Sequence, residues 1–219
     1  GSKKICSSCW PIGKAYLEKS KFKYRKFSDF INKDDLKKID KIVTDTKINE
    51  IKKYKINDLP IGEHAYSGVL RYFARGTIPS STQSQKIYYK YFKSALITYF
   101  MALKLFSKNK YDKIVLNHGI YTPQGIICDV AKKFNIKIIT WYTSYRKKTV
   151  TLSHKGTYHK TLLNDEYKDW ENIKLDNDKL KKFEEYLLSR RTGDDDWIYF
   201  QYKNQYFDIE KYFKTNNID

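Results

Sequence analysis

Three of the four histidines, His118, His154 and His159, fall close together in the chain. Imidazole titrates near neutral pH, so it is the side chain best suited to act as a general base. Around these histidines stand Tyr121, Tyr145, Arg146, Ser153, Thr157 and Tyr158. Arginine and tyrosine suit carboxylates, phosphates and sugar hydroxyls. Gly119 and Gly156 would let backbone amides approach a ligand. No carboxylate lies at ligand spacing inside this cluster, so no metal is expected there. A second polar set, Glu63, His64, Arg71 and Arg75, lies on one expected helix. Arg71 follows Glu63 and His64 by two turns, so the three can share a face, with a structural salt bridge as the competing reading.

The stretch from Tyr111 to Thr161 must position the first cluster. Lys113–Leu116 is a β-branched apolar run, stopped by Asn117, His118 and Gly119. Pro123 suits the first turn of a helix, and Gln124–Phe134 carries Ile126, Ile127, Val130, Ala131 and Phe134 at helical spacing. Ile136–Trp141 reads as a second strand. Strand, helix and strand of these lengths predict a parallel βαβ unit, whose ligands bind outside the carboxyl ends of the strands. Elsewhere the pattern predicts helices over Ile12–Ser20, Asp34–Thr46, Glu63–Arg75, Lys86–Ser107, Lys160–Asn172 and Asn177–Arg191, with a last short one over Ile209–Phe213. Short strands are expected at Phe22–Phe27 and Thr149–Ser153, and a strand or extended linker at Trp197–Tyr202. Ile48–Ile56 fits neither period. The aromatic stripe of Lys86–Ser107 marks a central packing helix.

The 219 residues suffice for one large or two small domains with a real core. Hydrophobic residues make up 41% and aromatic residues 16%, which excludes a disordered chain. No apolar run approaches the ~20 residues of a membrane span, and no signal peptide is visible. Gly1-Ser2 reads as the remnant of a cleaved tag, with the natural start expected upstream. The net charge of +18 would suit nucleic acid, an anionic membrane face or an acidic ligand. Most of it is lysine in a background rich in Asn, Ile and Tyr, which A+T-rich codons alone would give. Arginine occurs only at 25, 71, 75, 146, 190 and 191. Because arginine grips anions with two donors at once, Arg71, Arg75 and Arg146 are the better anion-site candidates. Cys6, Cys9 and Cys128 make a poor disulfide framework, so free thiols and a reducing cytoplasm are expected. Cys6-x-x-Cys9 is half of a zinc knuckle without its second half. There is no G-x-G-x-x-G, no Walker loop and no G-x-S-x-G, so no nucleotide-binding half is visible.

Taken together, His118-Gly119-Ile120-Tyr121, Pro123-x-Gly125, Tyr145-Arg146 and Ser153-His154-x-x-Thr157-Tyr158-His159 resemble a family signature. It is that of bacterial capsular-polysaccharide biosynthesis glycosyltransferases of the two-Rossmann, GT-B-like type. Supporting pieces are Pro60-x-Gly62-Glu63-His64, Arg71-Tyr72-Phe73, Arg75-Gly76, Cys6-x-x-Cys9, and Ser189-Arg190-Arg191 running to Asp196-Trp197. The resemblance implies an amino-terminal, acceptor-side domain. The nucleotide sugar would then sit on a second lobe outside these residues, and the fragment alone would be inactive and hold no cofactor.

The expected fold is therefore α/β, with a Rossmann-like, mainly parallel sheet flanked by helices. Residues 1–175 would form the acceptor-side domain and residues 176–219 a helix and linker toward the donor lobe. The resemblance implies binding of a glycan or lipid-linked acceptor. His118 is the first choice for catalytic base, then Glu63, then His154. Arg146, Tyr145, Arg71, His159, Tyr121 and Thr157 would hold the substrate, and no metal is assigned. A cytoplasmic protein, peripheral at the inner membrane face, is the expected setting. Two rivals are a basic nucleic-acid-binding module and a non-catalytic scaffold on an anionic membrane surface. The first needs aromatics interleaved with lysines on an exposed face, whereas these aromatics sit at core spacing.

Overall fold

A computed structural model describes residues 3–144, 146–154, 156–157 and 171–192, with side chains from residue 10 to residue 190 within those ranges. Its elements are α1 (Lys3–Lys19), α2 (Lys33–Asp45), α3 (Ile61–Phe73), α4 (Thr82–Lys108), β1 (Lys113–Asn117), α5 (Gln124–Lys133), β2 (Lys137–Thr143), β3 (Val150–His154) and α6 (Asn177–Thr192). They form two compact units, one of Gly1–Asp112 with Gly119–Ile136, the other of Lys113–His118 with Lys137–Asp219.

The first unit is helical. Its α4 is 27 residues long, about 40 Å at the ordinary helical rise, and packs against α2, α3 and α5. The core holds Ile39 of α2, Ala65 and Val69 of α3, Phe92, Ala95 and Leu96 of α4, and Ile126 and Val130 of α5, all at 1% exposure or less. Polar residues at the helix starts satisfy amides that would otherwise be orphaned. Asn32 Oδ1 accepts from the Asp35 amide at 2.8 Å, and Asp35 Oδ2 accepts from the Asn32 amide at 2.8 Å. This reciprocal box starts α2. Lys104 Nζ of α4 also donates to Asp35. The Asn32 amide, and then Lys104, hold the Asp35 carboxyl below its usual range. Ser81 Oγ accepts from the Ser84 amide at 3.1 Å at the start of α4. Gly62 has no room for a side chain, because a Cβ there would lie 1.6 Å from the Ile51 carbonyl oxygen.

The second unit carries a three-stranded sheet in the order β1-β2-β3. β1 and β2 run parallel, with Lys113 opposite Lys137 and Asn117 opposite Trp141. The parallel crossover anticipated from the sequence is thus present, with α5 as its helix. β2 and β3 are antiparallel, with Ile139 opposite His154 and Thr143 opposite Val150. The sheet is therefore mixed, and the architecture is α/β without a clear Rossmann fold. The expectation of a mainly parallel sheet fails at β3. Only a few residues separate β2 from β3, too few for a crossover but enough for a hairpin.

Two other local expectations change. Phe22–Phe27 is not a strand: it runs irregularly into a 3-10 turn over Phe27–Asp29. It has no neighbour with which to pair among the described residues. The first helix begins well before Ile12, at Lys3, with Pro11 inside it. The expected elements at Trp197–Tyr202 and Ile209–Phe213, and nearly all of Lys160–Asn172, lie outside the described residues.

Candidate functional site

Arg71 and Tyr121, distant in sequence, come together in the helical unit. The Arg71 guanidinium carbon sits 4.6 Å from the centre of the Tyr121 ring. Arg71 belongs to the last turn of α3, whose end is shaped by Ala74 in the left-handed conformation, φ 49°. The Ala74 amide donates to the carbonyls of Leu70 and Arg71, and the chain then bends to present Arg75 and Gly76. Together with Ser67, Leu70, Arg71, Ala74 and Tyr121, these two line an open cavity of about 580 Å³. No acidic side chain lines it. Both arginines are exposed.

Tyr121 is held in place from below. In the adjacent loop, the Ile120 carbonyl meets His64 Nδ1 at 3.2 Å, and His64 Nε2 meets Asp129 Oδ2 at 2.7 Å. Both partners are acceptors, and the contact with the carboxylate is the shorter, so Nε2 carries the hydrogen given to Asp129. Lys132 Nζ donates to the other carboxylate oxygen, Oδ1, at 3.1 Å. Burial pushes the Asp129 carboxyl up, but His64 and then Lys132 outweigh it and leave it below the usual range. A Cβ on Gly125 would come 2.4 Å from His64 Nδ1, so only glycine admits the ring there. The Gly125 amide donates to the Tyr121 carbonyl at 2.6 Å, which fixes the same loop from the α5 side. This link from α3 through His64 to the Tyr121 loop and α5 was not legible in the sequence. In the sequence His64 is only a polar neighbour of Glu63 and Arg71, and no local spacing points to Asp129, 65 positions away.

His118 lies in the sheet unit, just past the end of β1. Its φ is +56°, and its amide donates to the Trp141 carbonyl at 3.0 Å. Its ring stacks on Tyr142, with centroids 6.3 Å apart and planes at 24°. Arg146 is exposed in the β2–β3 hairpin, also beyond the carboxyl end of β2. There its carbonyl accepts from the Thr149 hydroxyl at 2.6 Å.

His154 is elsewhere. It is the last residue of β3, not a loop residue, and sits opposite Ile139. From the register it lies three rows and two strands from His118, about 14 Å away at ordinary strand spacings. It lines a separate cavity of about 360 Å³ with Lys113, Lys137, Ile138 and Ile139, toward the amino end of the parallel pair. His118 and His154 therefore do not meet at one rim of the sheet. Thr157 is buried near them in sequence, next to Gly156, whose carbonyl accepts from Thr140 Oγ1 at 2.9 Å. Glu63 is exposed in the first turn of α3, where a carboxylate also complements the helix dipole. Tyr145 and His159 lie outside the described residues. Among the described residues no group of His, Cys, Asp and Glu comes together that could hold a metal ion. No protein-family model matches this chain, and neither a curated protein nor a solved structure does.

The arrangement around Arg71 has a definite chemical meaning. The cavity is open and shallow, so it suits a ligand laid across the surface and not one enclosed by it. Two guanidinium groups offer forked donors to a carboxylate or phosphate. The hydroxyls of Ser67 and Tyr121 offer donors and acceptors of the kind a sugar ring uses.

Proposed function

We propose that this chain is the acceptor-binding part of a glycosyltransferase that builds a capsular or other surface polysaccharide. The observation that carries the reading is the Arg71–Tyr121 stack beside Arg75, in an open cavity without an acidic residue. Such a site favours an acidic glycan, or one carrying a phosphate, over a neutral one. The motif resemblance around His118 supplies the reaction class, and the nucleotide sugar belongs to a lobe outside these residues. In an inverting transfer, the base takes the proton of the acceptor hydroxyl. That oxygen bonds to the anomeric carbon as the bond to the nucleoside diphosphate breaks. His118 at the carboxyl end of β1 is our choice for this base, ahead of Glu63 and His154, with Arg146 as a further anion contact.

Titration calorimetry with a uronic-acid oligosaccharide and its carboxyl-reduced counterpart tests the binding half. The acidic form should bind more tightly, and equal binding of the two would remove the cavity from the account. For the catalytic half, His118→Ala is made in the full-length enzyme. Unchanged transfer to a polymer acceptor would take His118 out of the mechanism.

A further inference from the structure

The amino-terminal segment carries a second surface, unrelated to the Arg71 cavity. Trp10, Ile12, Tyr16, Phe22 and Phe27 are exposed by 42%, 75%, 70%, 69% and 43%. Ile12 and Tyr16 are four residues apart on α1, so they stand one above the other on one face. Lys14, Lys19, Lys21, Lys23, Arg25 and Lys26 lie in the same stretch, against the single carboxylate of Glu18. Residues 10–27 thus carry a net charge of +5, six cations less one anion. All six cations are exposed.

We infer that Trp10–Phe27 docks this protein on an anionic lipid surface, with Ile12, Tyr16 and Phe22 entering the headgroup boundary and the lysines meeting lipid phosphates. Exposed bulky apolar side chains among lysines are the make-up of a segment that lies in a membrane interface. Among the described residues no helix is long and apolar enough to cross a bilayer, so the contact is one of lying on the surface. Nucleic acid fits less well. Ile12, exposed by 75%, would gain nothing from a nucleic acid, and the Trp10 ring is already engaged. Lys26 Nζ sits 5.0 Å from its centre and Tyr24 meets it edge-on at 6.1 Å. Lysine also dominates over arginine here, as point-charge attraction to headgroups requires no fork.

The test is co-sedimentation of the chain with vesicles of phosphatidylcholine alone and with added phosphatidylglycerol. Binding should need the anionic lipid. Lys21→Gln with Lys23→Gln should lower partitioning about 30-fold, which corresponds to about 2 kcal/mol. Ile12→Ser with Tyr16→Ser should lower it at least about tenfold with the charge unchanged. These positions are exposed, and circular dichroism of each variant confirms the fold. Overturning results would be no binding to anionic vesicles, binding indifferent to Ile12→Ser with Tyr16→Ser, or tighter binding to RNA than to vesicles at equal salt.

Discussion

Asp129→Asn removes the charge that His64 and Lys132 share, and its cost can be worked from the geometry. The carboxylate accepts from His64 at 2.7 Å and from Lys132 at 3.1 Å. The His64 and Asp129 side chains are only 14% and 20% exposed, so solvent screens their contact weakly. A hydrogen bond to a charged partner contributes about 1.5–3 kcal/mol, while the more exposed Lys132 contact adds little. The expected loss is about 2 kcal/mol, or about 4–8 °C in melting temperature for a chain of this size. Urea unfolding followed by circular dichroism measures it, in a cycle with His64→Gln and the double variant. The pair should show a coupling of about 1–2 kcal/mol, and a value below about 0.5 kcal/mol would refute the linkage.

The same pair fixes the pH dependence. The folded Asp129 carboxyl lies below its unfolded value, so the folded state binds that proton more weakly. Its stabilisation is fully present above the unfolded carboxylate pKa of about 3.9, and is lost as pH falls through the folded value. The gap between the native protein and Asp129→Asn should therefore narrow as pH falls below about pH 4. A gap that failed to narrow on acidification below about pH 4 would contradict this assignment.

Three further outcomes follow from single contacts. Gly125→Ala should destabilise by about 1–3 kcal/mol in urea, because its methyl would strike the His64 ring held by Asp129. Ala74→Gly should stabilise by about 0.5–1 kcal/mol, since the left-handed turn that ends α3 strains an L-residue more than glycine gains in the unfolded chain. Cys128 is buried, and burial pushes its thiol pKa up to about 12. In a Cys6→Ser, Cys9→Ser background, iodoacetamide should label it only at the rate of unfolding.

Strong periodicity made most elements legible. Apolar residues at helical spacing marked α2, α3, α4 and α5, and Asn32 signalled the start of α2 through its side-chain cap. The β1–α5–β2 crossover was legible because each part had its own stop signal. Phe22–Phe27 misled because alternating aromatic and basic residues satisfy a strand pattern without supplying a neighbouring strand. The antiparallel pairing of β3 was hidden because the strand pattern is the same in either direction. At the candidate site, residue types alone singled out Arg71 and Tyr121, and the fold brings them together. Nearness of His154 to His118 in the chain says nothing of which end of the sheet a strand's last residue occupies, and the register sets the two apart. The His64–Asp129 pair joins two helices far apart in the chain, so no local spacing could have shown it.

The most direct measurement of the central claim is the affinity of Arg71→Ala with Arg75→Ala for the acidic oligosaccharide, by calorimetry at fixed salt. Losing two charge-assisted contacts should weaken binding about 100-fold while leaving the fold intact, since both side chains are exposed. Affinity within about twofold of the unmodified chain, below about 0.5 kcal/mol, would show that the glycan does not bind here.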